Sequence, residues 1–322
     1  MPSIPNQDFP NNMAVIVPSH ISNASRIKLL MTCLDSLLNQ VEPTPVYLSI
    51  SFDAYYLQTI FEKSLKRIYR NNFPELLSIY YRPSKTPQFI HIEKTYELIH
   101  EKYDWFLFCD DDDTYKTQRT LVFKFIIFKC ITQNSLQKPW AGLYELCDNI
   151  PLTAKNQTYE YWSFCVHKNI LADFFSKIRR NHGDVLNHTF CDLVFTNYLK
   201  QLTDKFTFYP IEQNNYNYIT YNNSSITNSI RSKNEKIKNS TIEFASVSEL
   251  ITTLNEEYKK NMDDLLNNVM IYTLHKLDFD NVLKIILRNH YNYKENIDPE
   301  IINALEKQHD KIKSLCDDIY NK

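Results

Sequence analysis

The sequence predicts an α/β fold built on a mostly parallel sheet, and three observations carry that expectation. Apolar runs alternate with amphipathic helical stretches through the first hundred residues, the apolar runs end in polar or acidic residues, and only two glycines, Gly142 and Gly183, occur in 322 residues. Such alternation is the mark of β-α-β units, where helices cover both faces of the sheet and ligands sit beyond the carboxyl ends of the strands. The scarcity of glycine excludes the dinucleotide fingerprint and the Gly-x-x-x-x-Gly-Lys phosphate loop, both of which need several.

The first unit is "MAVIVPSH", an apolar run ending in Ser19 and His20, followed by "RIKLLMTCLDSLLNQ", in which Ile27, Leu30, Leu34, Leu37 and Leu38 recur at helical spacing. "PVYLSISFD" and "YYLQTIFEKSLKRIYR" repeat the pair, with Asp53 at the strand end. "LLSIYYRP" and "HIEKTYELIHEKY" form a third pair, and "WFLFC" is a fourth strand. A buried helix, "TQRTLVFKFIIFKCI", comes next. Shorter alternating pieces, "WAGLYELCD" and "YEYWSFCVH", then suggest antiparallel strands. A helix in "HTFCDLVFTNYLKQL" and a strand in "KFTFYPI" lead to a polar loop from Asn214 to Asn234, and the chain reads helical and charged from Ser246 onward. The expected organisation is a flexible N-terminus over 1–11, an α/β domain over 12–240 and a helical C-terminal extension over 241–322, whose helices offer a surface for homo-oligomer contact.

Lysine and arginine number 36 against 38 aspartate and glutamate, a formal charge of −2, so no nucleic-acid partner is expected. The longest apolar stretch, "LVFKFIIFKCI", is too short to span a bilayer and carries Lys124 and Lys129, and "MPSIPNQDFPNN" lacks the apolar core of a secretory signal. The seven cysteines are scattered, odd in number and form no Cys-x-x-Cys pair, which reads as reduced thiols in a cytoplasmic protein. That cytoplasm is a host's if the asparagine- and lysine-heavy composition marks a viral genome.

The most informative stretch is "WFLFCDDDDTY", residues 105–115, where four carboxylates follow a buried strand. Aspartate runs are usually solvated loops, but strand-end placement favours a site. On an extended chain Asp110 and Asp112 share one face, Asp111 and Asp113 the other. Two carboxylates about 6 Å apart repel by roughly 3 kcal/mol at an effective dielectric near 20. They stay wet, take up a proton, or hold a cation. Carboxylate oxygens suit Mg2+ or Mn2+, which keep one or two protein ligands and draw the rest from water and phosphate.

The order of "MAVIVPSH", "RIKLLMTCLDSLLNQ", "FLFCDDDDTY" and "HTFCDLVFTNYL" resembles nucleotide-sugar-dependent glycosyltransferases of the GT-A fold, family 2 type, over about residues 12–230. The resemblance implies a donor pocket lined by Pro18 and His20, with Asp53 on the base. It also implies an Asp-x-Asp motif of Asp110 and Asp112, in which Asp110 and Asp111 meet the donor and Asp112 holds Mn2+ or Mg2+. By the same resemblance Asp192 is the base that activates the hydroxyl of a glycan, protein or small-molecule acceptor, with inversion at the anomeric carbon. Two features depart from the family pattern: Cys191 stands where a glutamate is usual, and "KTPQFIHIEKTYELIHEKY" replaces a glycine-containing turn. Lys85, His91 or Lys94 in that segment could meet phosphate, but each is read in preference as a solvated surface group.

Rival readings start from the same residues. "FLFCDDDDT" also fits the Asp-x-Asp-x-Thr signature of haloacid-dehalogenase phosphatases, with Asp110 as nucleophile and Asp112 as acid, although that motif normally sits on the first strand. A nucleotidyltransferase lacks its glycine-rich loop here. A catalytically inactive sugar- or nucleotide-binding module is the third alternative.

Overall fold

The computed structural model describes residues 12–69, 74–133, 140–146, 159–188, 191–219 and 277–320, with residues 246, 248–249, 251–252 and 255. It divides into two compact units, Met1–Ile219 and Thr220–Lys322. The N-terminal segment 1–11, residues 220–234 of the polar loop and the expected boundary at 240 lie outside the described residues.

In the first unit the strands are β1 (Met13–Ile21), β2 (Val46–Phe52), β3 (Leu77–Tyr81), β4 (Trp105–Phe108), β5 (Thr114–Tyr115), β6 (Trp140–Glu145), β7 (Phe164–His167), β8 (Thr207–Ile211) and β9 (Tyr216–Asn217). Seven of them form one sheet in the order β3-β2-β1-β4-β7-β6-β8, while β5 and β9 pair separately. Strands β3, β2, β1 and β4 run parallel, and β7 is antiparallel to both β4 and β6. The chain leaves β1 on one side to build β2 and β3, then crosses to the other side for β4. The β1/β4 boundary is therefore the point where strand order reverses, and the crevice outside the carboxyl ends there is where open α/β sheets bind ligands.

Local chemistry explains the elements that reach this crevice. Pro18 lies inside β1, where a missing N–H would ordinarily break a ladder. Val15 donates to Pro45 at 2.9 Å on the β2 side, while Ile16 accepts from Cys109 at 3.2 Å on the β4 side. By alternation the nitrogen of Pro18 faces the β4 side beyond the last paired residue, so no sheet hydrogen bond is lost. Helix α1 (Ala24–Leu38) starts at Asn23, whose side chain accepts from the backbone of Ser25 and Arg26 at 3.1 and 3.3 Å. Caps of this kind contribute about 1 kcal/mol. Ile27, Leu30, Met31, Leu34 and Leu37 bury one face of α1 against the sheet core. Gly142 is required by close packing, since a Cβ there would lie 2.6 Å from the carbonyl oxygen of Cys165 on β7.

The remaining helices of this unit are α2 (Tyr55–Tyr69), α3 (Gln88–Ile99), α4 (Arg119–Gln133), α5 (Lys168–Asn181) and α6 (Cys191–Gln201). In the second unit, α7 (Phe279–Leu287) and α8 (Pro299–Tyr320) flank a 3₁₀ stretch and share a core of Val282, Leu283, Ile286, Leu287, Ile297, Ile301 and Leu305. No described helix is long and apolar enough to cross a membrane.

Candidate active site

The acidic run is a turn rather than extended chain. β4 stops at Phe108, and the N–H of Asp113 closes on the carbonyl of Asp110 at 3.2 Å before β5 begins. The faces nevertheless separate as alternation predicts, because Asp111 and Asp113 point inward, at 5 % and 1 % exposure, while Asp110 and Asp112 remain partly open. Asp111 has both oxygens engaged: Ser19 donates at 2.6 Å to one, and the Arg26 guanidinium pairs with the other. Asp113 accepts from the hydroxyl of Tyr216 and the backbone N–H of Ile219, each at 2.8 Å. Asp110 accepts from Gln88 at 2.8 Å and from the hydroxyl of Tyr161. Asp112 faces outward, its charge partner among the described residues being Arg26 at 3.8 Å.

This turn is short of positive charge. Burial, then the field of Asp113, pushes the Asp110 carboxyl well above the ordinary carboxylate range. Burial raises Asp111 to about 6 against the pull of Arg26, and raises Asp113 to about 7 against its two donors. Three carboxylates are held above their ordinary range around a fourth that faces out, and added positive charge at the turn would relieve them. Among the described residues no three His, Cys, Asp or Glu side chains form a closed cage. The set suits a hard cation that takes one or two carboxylates from the protein and the rest from phosphate and water.

The other candidate residues lie at the ends of β1 and β2 and in α6. His20, at the end of β1, bridges Asp53 and Ser51, with Nε2 2.9 Å from Asp53 Oδ1 and Nδ1 2.9 Å from Ser51 Oγ. The backbone N–H of Asp53 donates to Ile21 at 3.1 Å, which ties the end of β2 to the end of β1. Pro18 is buried in β1 between these ends and the sheet interior. Asp192 lies in the first turn of α6, half-buried, and its Oδ1 has no hydrogen-bond partner among the described residues. Burial, then the negative charge of Glu160, raises its carboxyl to about 7. The hydroxyl of Tyr161, in a 3₁₀ turn over Tyr161–Ser163, donates to Asp110 and lies within the field of Asp192. Phe195, one turn along α6, packs edge-on to Phe108 at the end of β4, with ring centroids 6.1 Å apart.

Several participants carry no motif in the sequence. Arg26, Gln88, Tyr161 and Tyr216 each engage the turn, and only the helix cap before Arg26 could have drawn attention to it. His91, read as a surface group, is 1 % exposed and lies beneath the His20 pair; the helix starts at Gln88, three residues before the "HIEKTYELIHEKY" segment, which turns His91 to the sheet. Lys94 does lie at the surface, paired with Glu97 at 2.7 Å. Cys33 and Cys109 lie 3.7 Å apart beneath the turn as buried free thiols. Of the seven cysteines, Cys147 falls outside the described residues.

A clamp of opposite charge fixes the far side. Arg119, fully buried, pairs with Glu145 at 3.0 Å, donates to the carbonyl of Trp162 at 2.7 Å and lies 4.1 Å from the ring centre of Tyr115. Glu145 in turn accepts from the backbone of Asn215 at 3.0 Å, next to Tyr216. Tyr216 stacks on Trp162 at 3.9 Å, so the segment carrying β9 is held against the turn by charge and by aromatic contact.

The first unit is thus an α/β sheet protein with an acidic turn at its topological switch point. No protein-family model matches the sequence, and no curated protein matches it. Solved structures do resemble it. The mannosyltransferase PcManGT from Pyrobaculum calidifontis, in complex with GDP-Man and Mn2+, matches over 97 % of this chain and 88 % of its own, at 10 % identity and a TM-score of 0.46. TarS of S. aureus matches over 92 % of this chain at 14 % identity and a TM-score of 0.44; the match spans about half of TarS, 55 %. The 4-diphosphocytidyl-2C-methyl-D-erythritol synthase from Anaerococcus prevotii matches over 68 % of this chain and 98 % of its own, at 11 % identity and a TM-score of 0.42.

Proposed function

We propose that the protein is a metal-dependent glycosyltransferase that moves a sugar from a nucleotide-diphospho-sugar to an acceptor hydroxyl with inversion at the anomeric carbon. One observation supports this most: an acidic turn short of cations has its Asp110 held by Tyr161, and the field of a separate carboxylate tuned near neutrality, Asp192, reaches the same tyrosine. Displacing a nucleoside diphosphate requires relief of charge on the leaving group and removal of a proton from the acceptor, and these are two different sites' work.

In this reading Pro18, His20 and Asp53 line the nucleotide end of the crevice. Asp110, held by Gln88 and Tyr161, meets the donor. Asp111 acts from behind by fixing Arg26. Mn2+ or Mg2+ would be held by Asp112 and, when bound, lowers the charge on the leaving diphosphate. Asp192 accepts the proton as the acceptor oxygen bonds to the anomeric carbon and the carbon–oxygen bond to diphosphate breaks. Its Oδ1, without a hydrogen-bond partner among the described residues, offers a lone pair for that proton. A glycan, a protein or a small molecule can supply the hydroxyl.

Calorimetric titration of nucleoside diphosphates with and without Mn2+ tests the donor half. Asp112→Asn is expected to abolish the gain in affinity that Mn2+ gives while leaving the fold intact, since it removes repulsion from the turn. Unchanged Mn2+-dependent affinity in that variant refutes the metal assignment. A covalent phosphate trapped on Asp110 would establish phosphatase chemistry instead.

A further inference from the structure

A row of polar side chains runs beneath the His20 and Asp53 pair. Oδ1 of Asp53 lies 2.9 Å from Nε2 of His20, and Nδ1 of His20 lies 2.9 Å from Oγ of Ser51. Ser51 Oγ is 3.2 Å from Nε2 of His91, whose Nδ1 is 2.8 Å from Oγ of Ser49; Nε of Arg82 is 2.9 Å from the same oxygen. Strand periodicity supplies the arrangement. Ser49 and Ser51 fall on one face of β2, β1 sets His20 opposite Ser51, and α3 lays His91 over both serines.

One direction of the row gives every polar proton an acceptor. Arg82 can only donate, and an ionised Asp53 can only accept. Ser49 accepts from Arg82 and turns its own proton to Nδ1 of His91. That imidazole is neutral: burial first, then the charges of Arg82 and His20, lowers its pKa to about 3. Its one proton therefore sits on Nε2 and is donated to Ser51. Ser51, which also accepts from the backbone N–H of Thr86 at 3.4 Å, turns its hydroxyl proton to Nδ1 of His20. His20 donates from Nε2 to Asp53, and each polar proton in the row has an acceptor.

We infer that His91 is a positioning residue: acting through Ser51, it holds His20 as the neutral Nε2–H tautomer and leaves Asp53 its full negative charge. A second proton on His20 would sit at Nδ1 and meet the hydroxyl proton of Ser51. Relief turns the Ser51 proton to Nε2 of His91 and moves the His91 proton to Nδ1, so that Ser49 accepts from both Arg82 and His91 and its own proton loses its acceptor in the row. The groups facing His20 are Ser51, Asp53, Lys85 after β3 and Arg26 on α1; burial, Lys85 and Arg26 oppose its protonation and Asp53 favours it. Around His91 stand Ser49, Ser51, Arg82, the Thr86 backbone and His20. That the charge on Asp53 serves a nucleotide rests on the function proposed above; the state of the row does not.

Nitrogen-15 NMR of the histidine side chains in the full-length, nucleotide-free chain tests this. Near neutral pH both His20 and His91 are expected as Nε2–H tautomers, with no titration of His91 between about pH 5 and 8. His91→Phe keeps a ring in place and removes both nitrogens, which frees the Ser51 hydroxyl; the His20 pKa is expected to rise by about one unit. If His91→Phe does not fold, Ser49→Ala cuts the row next to Arg82 at small steric cost and is expected to leave His91 as a mixture of tautomers. An Nδ1–H tautomer at wild-type His91, an unmoved His20 pKa in His91→Phe, or an unchanged pure tautomer in Ser49→Ala each overturns the inference. Titration of nucleoside diphosphates with Mn2+ separates the two claims. Absence of wild-type binding with the tautomers as expected overturns the proposed function and supports the row.

Discussion

At the scale of single residues, Asp192 carries the sharpest expectation. Asp192→Asn keeps shape and hydrogen bonding but cannot take the acceptor's proton, so transfer should fall by roughly 10²- to 10⁴-fold while donor and Mn2+ bind as before. Initial rates and calorimetry on the same variant check both halves. Because the carboxyl titrates at about 7 in the folded chain, wild-type transfer should decline as the pH falls through neutrality. The same shift has a consequence for folding, of opposite sign to a salt-bridged aspartate. The folded-state value is raised above the ordinary 3.8, so between the two the folded chain holds a proton that the unfolded chain has released. The stabilisation is complete below the lower value and is lost as pH rises through the higher. Melting curves of the cation-free protein from about pH 5 to 8 should therefore show falling stability, and Asp192→Asn should make that slope shallower, the remainder belonging to Asp110, Asp111 and Asp113.

Elements show what a sequence can and cannot yield. β1, α1 and β2 emerge within two residues of the quoted segments because periodicity and the Asn23 cap agree there. Helix α5 is not expected from the sequence although Ile170, Leu171, Phe174, Phe175 and Ile178 have helical spacing, because it begins at Lys168 directly after β7, with no glycine or proline between the two patterns and a histidine as its cap. Among candidate site residues, Asp53 and the acidic run stand out by their position after strands, whereas Asp192, in the first turn of a helix, is marked only by the family resemblance. The keepers of the acidic run do not stand out: Tyr161 and Tyr216 lie 51 and 106 residues from Asp110 and meet it only through folding. The clamp at Arg119 is of the same kind, a long-range pair with no local signal. Removing one partner of a buried ion pair leaves the other uncompensated, typically at about 3–5 kcal/mol. Arg119→Met should cost that much in denaturant unfolding and should weaken nucleotide binding as well, because Glu145, Trp162 and Asn215 lose their common anchor.

For the molecule as a whole, the two compact units make separate demands. Every residue given a role above lies within Met1–Ile219. A chain ending at residue 240 should retain Mn2+-dependent nucleotide binding, with any loss appearing in solubility or assembly; a soluble truncated chain that no longer binds nucleotide would show that the second unit contributes to the site. The border between the units has one further property. Ile219, the last residue of the first unit, donates its backbone N–H to Asp113. The peptide where the chain leaves the sheet domain is thus also a wall of the acidic turn. Its amide is a built-in reporter: hydrogen exchange at Ile219 should slow when a cation draws Asp113 fully into its ionised form and quicken in Asp113→Ala. Occupancy of the turn can then be followed at the chain's exit, without a substrate, a label or knowledge of the acceptor.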